Sequence, residues 1–348
     1  MKILVRAPNW LGDAILCLPA LRALRNLWPA AEISILARGH VADLYHGQQV
    51  ADHLLPYDHR SAYRTWRGRE RLAAELRGRG FDLAVLFQNA FDAAWLTWRA
   101  RIPQRVGYAR DGRSLLLTKA IPTPREGEIP AHEQFYYLEL LRRAGWIREL
   151  SGDAHIRLSV SDESRQAAES RLAGVGAHSR RFRVAIGAGA SYGSAKCWVP
   201  ERFAAVADRL RARFDCDIIL FGTVAEQAVS SAIVAAMKHA PIDLTGKTEI
   251  AGLPALLSCC QLFIGNDSGA MHVAAAVGLP VVAVFGPTDP DGTAPVTPRH
   301  SIVQERPFCS PCFLRRCPID HRCMRAILPD AVAEAASQWL AGSELRHA

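Results

Sequence analysis

Long apolar runs are missing from this 348-residue chain. A stretch such as Val273–Thr288 is free of charge and histidine, but Gly278, Pro280, Gly286 and Pro287 interrupt it. A spanning helix needs about 20 mainly apolar residues, so no transmembrane segment is expected. The opening MKILVRAPNW meets Arg6 after only three apolar residues, too few for the apolar core of a secretory signal. A cytoplasmic location is therefore expected. Lysine is scarce: of 42 basic residues only Lys2, Lys119, Lys196, Lys238 and Lys247 are lysines, an excess of arginine that reads as codon usage and not as a binding function. Disorder is excluded, because 49% hydrophobic and 22% charged residues give enough apolar surface to offset ordering entropy. Nine cysteines, an odd number in a chain expected in a reducing compartment, point to thiols or a metal site over a disulfide framework.

What charge there is lies in two places. The net charge is +8; the segment 60–79 carries +5 and the segment 299–325 carries +4. Each is either a basic surface for an anionic partner or a solvated arginine-rich face. The concentration in two segments, without a recognition helix or interleaved aromatics, argues against nucleic acid as a partner.

The order of periodicities predicts an α/β chain. KILVRA at 2–7 reads as a buried strand, residues 13–27 as a helix bent at Pro19, and 32–37 as the next strand, which together begin a parallel sheet covered by helices. FDLAVLF at 81–87 adds a strand. A second series starts at 183–188 and continues through strands at 217–221, 261–265 and 280–285, with a last amphipathic helix at 326–341. The Ser-, Gly- and Ala-rich stretch 151–180 reads as a short helix and linker, which predicts two domains, 1–170 and 171–348. In open parallel sheets ligands bind beyond the carboxyl ends of the strands, where the loops 8–13 and 265–272 fall.

Four constellations can carry chemistry. In IGNDSGAMH a strand runs into Asp267-Ser268-Gly269 and a small-residue helix. Asp267 and Ser268 suit a helix cap, and the first N–H groups, at Ser268, Gly269 and Ala270, suit a diphosphate, with His272 in the same turn. A plain capped helix is the other reading. In GAGASYGSAKCWVP the loop places Lys196 after a strand, either as a mobile point charge for phosphate or in a loop without ligand. That loop has neither the spacing of a dinucleotide fingerprint nor, within it, a Gly-Lys-Ser/Thr triplet. Asp13 lies at a loop–helix junction, as a cap or as a general base. Cys309, Cys312, Cys317 and Cys323 are four thiols within 15 residues, enough for a structural, tetrahedral zinc or iron site, or free thiols whose ionisation the nearby arginines would favour.

Taken together, PNWLGDAILCLPALRAL, GASYGSAKCWVP and NDSGAMHVAAAVGLPVVAVFGPTDP resemble glycosyltransferase family 9, the ADP-heptose:lipopolysaccharide heptosyltransferases, over nearly the whole chain. The Asn-Trp-Leu-Gly loop and the cysteine-rich segment look most like its heptosyltransferase II branch. The resemblance implies a GT-B fold: two facing Rossmann-like domains with a C-terminal helix, the first binding acceptor and the second ADP-sugar. It implies inverting transfer of heptose from ADP-heptose to an acidic, lipid-linked heptosyl-Kdo-lipid A acceptor, without a catalytic metal, at the cytoplasmic face of the inner membrane. It places the catalytic aspartate on Asp13, the phosphate-binding lysine on Lys196, loop positions on Ser191 and Tyr192, and the donor motif on Asp267, Ser268, Gly269, Ala270 and His272. Some members place a ribose-binding acid just after the strand-end glycine; this chain departs from that pattern, with Thr223 and Val224 after Gly222 and Glu226 as the first acid. The heptosyltransferase I branch, or another family 9 transferase on a different surface glycan, and a Rossmann-type oxidoreductase are the alternatives; the missing fingerprint counts against the oxidoreductase.

Overall fold

A computed structural model describes residues 1–58, 61–153 and 155–344. The chain divides into two compact units, Met1–Asp153 and Ala154–Ala348. The first contains β1 (Lys2–Arg6), α1 (Leu11–Leu16), α2 (Leu18–Leu27), β2 (Glu32–Ala37), α3 (Gly39–Ala42), β3 (His53–Pro56), α4 (Trp66–Arg79), β4 (Leu83–Leu86), α5 (Phe91–Arg99), β5 (Gln104–Tyr108), β6 (Lys119–Ile121) and α6 (Glu133–Arg143). The second contains α7 (Asp162–Gly174), β7 (Phe182–Gly187), α8 (Pro200–Arg213), β8 (Cys216–Leu220), α9 (Gln227–Ala236), β9 (Ile242–Asp243), α10 (Leu253–Ser258), β10 (Leu262–Asn266), α11 (Gly269–Ala276), β11 (Val281–Phe285), α12 (Pro290–Thr293), β12 (His300–Gln304), α13 (Arg322–Ala326) and α14 (Pro329–Glu344).

Each unit has one six-stranded sheet, ordered β3-β2-β1-β4-β5-β6 and β12-β11-β10-β7-β8-β9, and every pairing is parallel. Renumbered within its unit, each is the doubly wound Rossmann order, whose topological switch lies between β1 and β4 and between β7 and β10. Helices cover both faces, so the central strands are apolar throughout: Ile3, Leu4 and Val5 are fully buried, as are Val281 to Phe285. One face of the first sheet packs Leu4, Leu36, Ala84 and Leu86 against Leu72 and Leu76 of α4 and Trp95 of α5. In the second unit Val332, Ala336 and Leu340 of α14 join the core around Trp198 and Phe203. At about 1.5–3 kcal/mol for each large apolar side chain buried, these contacts hold the helices to the sheets.

Local chemistry sets the boundaries. The helix expected over 13–27 is two helices, α1 and α2, because Pro19 has no N–H to continue the ladder and takes the first turn of α2 instead. The Thr65 hydroxyl caps α4 by accepting from Gly68 N at 3.1 Å, and Gly80 ends it at φ 68°, a left-handed conformation suited to glycine. The last expected helix is also divided: α13 stops before Leu328, and Pro329 opens α14. The units divide ahead of the expected position near 170. Ile156 N donates to Val296 O at 3.1 Å and Leu158 N to Ala276 O at 2.8 Å, so the stretch before α7 is tied to the second unit. Among the described residues no helix is long and apolar enough to cross a membrane.

Candidate active site

In the first unit the chain leaves β1 through Arg6, whose guanidinium is buried and donates to Ala7 O at 2.8 Å, Leu36 O at 3.3 Å and Asn9 Oδ1 at 2.9 Å. This fixes the loop that enters α1. Burial lowers the Arg6 pKa to about 10, which leaves it charged at neutral pH. Asp13 is not the cap of its helix. Trp10 holds the cap position, without a side-chain bond, and Asp13 stands in the first turn. A carboxylate there is favoured by the helix dipole. Its charge is felt by Cys17 and Tyr45, by Tyr137, and by Glu133 in the first turn of α6. Burial first, then the charge of Asp13, push Glu133 up to about 7. Two carboxyl groups thus share one end of the sheet, and the second titrates close to neutrality.

Arg113 is completely buried, donating to Tyr108 O at 2.9 Å and Asn89 Oδ1 at 3.0 Å, while Asn89 Nδ2 donates to the Tyr136 hydroxyl at 2.9 Å. It ties the ends of β4 and β5 together. Sequence reasoning missed Arg6, Arg113 and Glu133. An arginine closing an apolar strand was a signal for Arg6; the other two depend on contacts distant in sequence.

In the second unit the switch point lies between β7 and β10, and the loops after both strands meet there. Asn266 at the end of β10 accepts from Trp198 N at 3.0 Å and donates to Ala188 O at 2.6 Å, clamping the β7 loop to β10. Asp267 does not cap α11. Its Oδ2 accepts from Lys196 Nζ at 2.5 Å and from the Thr288 hydroxyl at 2.7 Å. Lys196 is only 9% exposed, so it is a fixed charge and not the mobile one expected. Ser268 occupies the cap position of α11 without a side-chain cap bond, and Gly269 and Ala270 begin the helix. Since Asp267 is adjacent to Ser268, the carboxylate that holds the ammonium also sets it beside the helix N-terminus. Two positive features converge there, which suits a polyphosphate. His272 is buried in the same first turn.

The remaining expected positions surround this point. Tyr192 is half-buried; its ring centroid lies 4.8 Å from Lys196 Nζ and 5.3 Å from the Arg315 guanidinium. Ser191 is exposed in the turn before it. Glu226 completes a capping box, with Oε2 accepting from Thr223 N at 2.7 Å and its hydroxyl at 3.0 Å. Its other oxygen lies over Gly189, where an added Cβ would meet Oε1 at 1.9 Å. Glu226 therefore stands at the carboxyl ends of β7 and β8.

The cysteine-rich segment is a strap over the Lys196 loop. Ala195 N donates to Arg315 O at 3.1 Å, Tyr192 Oη to Phe313 O at 2.6 Å, and His321 Nε2 to Ala195 O at 2.7 Å. The tetrahedral site expected at Cys309, Cys312, Cys317 and Cys323 is not assembled: among the described residues no three His, Cys, Asp or Glu side chains are gathered to hold a metal ion. The thiols do lie near one another. Burial, with the charges of Cys309, Cys312 and Cys317, raises the Cys323 pKa, against the expected arginine effect. Arg322, paired with Asp320 at 3.0 Å, also feels the charges of Cys309 and Cys317, while Arg315 sits on Tyr192. The other basic segment forms α4, where Arg69 pairs with Asp92 at 3.4 Å and Glu70 with Arg99 at 2.8 Å; Arg60 lies outside the described residues.

Two Rossmann units with a basic, helix-terminal cradle define a nucleotide-sugar type of enzyme, and the comparisons with known proteins give the class. The model of glycosyltransferase family 9 (heptosyltransferase) matches residues 69–322, and the chain belongs to that family. It is a glycosyltransferase of the α/β, GT-B class. Lipopolysaccharide heptosyltransferase 2 of Salmonella typhimurium is 27% identical over 312 residues, covering 87% of this chain and 88% of that protein. Lipooligosaccharide heptosyltransferase 2 of Campylobacter jejuni is 27% identical, covering 99% and 100%. The structure of E. coli ADP-heptose lps heptosyltransferase II superposes with a TM-score of 0.82 at 26% identity, covering 99% of this chain and all of that one.

Proposed function

We propose that this chain transfers heptose from ADP-heptose, with inversion, to a heptosyl-Kdo-lipid A acceptor of the lipopolysaccharide inner core. The observation that carries the reading is the ammonium of Lys196, held by Asp267 beside the uncapped N-terminus of α11. The names of the relatives supply the sugar and the nucleotide. In this reading the second unit binds the donor. Lys196 and the N–H groups of Ser268, Gly269 and Ala270 receive the growing charge on the departing diphosphate, and His272 backs the same turn. Preorganised charge of this kind is the main electrostatic contribution open to the site, and the reading asks for no catalytic metal. Ser191 and Tyr192 border the diphosphate, and Glu226 offers an acceptor for a ribose hydroxyl.

The first unit binds the acceptor. Asp13 takes the proton of the attacking hydroxyl as the new glycosidic bond forms and the bond to the diphosphate breaks. A positioned general base contributes about 10²–10⁴-fold. The acceptor is anionic and lipid-linked, which places the enzyme at the cytoplasmic face of the inner membrane. Of the strap, the reading asks only its grip on the Lys196 loop; metal analysis of protein purified without chelator checks that the four thiols stay free.

The deciding experiment gives purified protein ADP-heptose and truncated lipopolysaccharides carrying zero or one heptose. Transfer is expected to the one-heptose acceptor. Transfer only to the heptose-free acceptor would move the assignment to the first heptose; transfer to neither would reject the reading.

A further inference from the structure

Lys196 brings its site a charge that is already offset. Its ammonium is paired with the Asp267 carboxylate at 2.5 Å, so the two together are neutral, and the N-terminus of α11 adds only a partial charge. A full cation without a counter-charge stands beside them. The Arg315 guanidinium lies 5.3 Å from the Tyr192 ring centroid, and Lys196 Nζ lies 4.8 Å from the same centroid. Elsewhere on the strap Arg306 pairs with Asp289 at 3.1 Å and Arg322 with Asp320 at 3.0 Å, whereas no carboxylate pairs with Arg315 among the described residues. The Arg315 backbone is fixed: its carbonyl accepts from Ala195 N at 3.1 Å, and it crosses Gly193 where a Cβ would collide with it. The side chain is thus anchored at its root and exposed at its tip, over the loop that carries Lys196.

The order of the strands says which part of a ligand it meets. In β12-β11-β10-β7-β8-β9, Glu226 follows β8, Lys196 follows β7 and Asp267 follows β10. The strap is seated one strand further on, after β11, where Cys312 N and Phe313 N donate to Pro287 O at 3.0 Å and 2.8 Å. A nucleotide laid along these carboxyl ends with its ribose at Glu226 brings its first phosphate to Lys196 and its second towards the strap. We infer that Arg315 is a second phosphate-binding residue of this site, taking the distal phosphate of a nucleoside diphosphate. A guanidinium held flat on an aromatic ring is preorganised for the paired oxygens of a phosphate, and it supplies the net positive charge that the Lys196–Asp267 pair does not. The direction of the nucleotide rests on the proposed function; the unpaired cation beside Lys196 does not.

The test is calorimetric titration of the full chain with ADP and with AMP. Arg315→Gln keeps the backbone carbonyl that holds the strap and removes the charge, so ADP affinity should fall by about tenfold. AMP, which has no distal phosphate, should lose less than about twofold, and the thermal midpoint should be kept because the side chain is exposed. Arg316→Gln removes the same charge one residue on and should leave ADP affinity within about twofold of the wild type. Equal ADP affinity in Arg315→Gln would overturn the inference. So would equal weakening of ADP and AMP, or an equal loss in Arg316→Gln, which would leave only the general charge of the strap. Wild-type protein that binds no ADP would instead reject the proposed function, and this inference with it.

Discussion

At the scale of single residues, three side chains can be tested independently. Asp13→Asn keeps the size of the side chain and removes the proposed base, so turnover should fall by at least about 10²-fold while ADP affinity is unchanged. Retention of more than about a tenth of the turnover would leave Asp13 a structural role only. Lys196→Ala should weaken ADP binding and slow transfer together, because the leaving diphosphate gains charge in the transition state. It should also destabilise the protein by about 3 kcal/mol or more, since Asp267 would remain buried without its cation. Calorimetry showing unchanged ADP affinity would remove Lys196 from the site. Glu133 carries a pH prediction. Its pKa is raised to about 7 in the folded protein, so the fold binds that proton more tightly than the unfolded chain does. The contribution is complete below the ordinary carboxylate range and is lost as pH rises through about 7. Urea denaturation at pH 5 and pH 8 should therefore show a smaller stability loss for Glu133→Gln than for the wild type.

At the scale of elements, the decisive unit is the loop between β7 and α8 with the strap that covers it. A Cβ on Gly193 would fall 2.2 Å from Arg315 O, which is backbone and has no rotamer to yield. Gly193→Ala should push the strap away, loosen the bonds from Ala195 and Tyr192, and let Lys196 drift. We expect a several-fold weaker ADP affinity with little change in global stability, because the loop is at the rim of the core. The check is ADP titration together with thermal unfolding; equal affinity would show that the strap does not position the lysine. The strap also explains why its cysteines were ambiguous from sequence. Spacing alone permits four ligands, but Cys323 is buried beneath Gly286 while the other three are half-exposed.

At the scale of the whole molecule, each unit has its own sheet and its own core, and the proposed function gives each its own part of the chemistry. If the second unit alone takes the nucleotide, ADP should slow amide exchange in the loops 189–197 and 267–272 and in the first turn of α11. The first unit should remain unaffected. Protection around Asp13 from ADP by itself would contradict that division of labour.

The sequence by itself determined the class of fold, since apolar runs at strand length alternating with helical periodicity leave few topologies. Lys2–Arg6, Glu32–Ala37 and Val281–Phe285 are legible for that reason: strands buried on both faces must be apolar throughout. The motifs around Asp13, Lys196 and Asp267 were legible because each sits directly after such a strand. The short outer strands β3, β6, β9 and β12 were not, being half-exposed and without a clear period. Only the tertiary structure decided that Asp267 holds Lys196 instead of capping α11, that Glu133 joins Asp13, and that the cysteine-rich segment grips the Lys196 loop. Each of these joins residues far apart in the chain, and a buried charge takes the partner the fold brings to it, which local sequence does not encode.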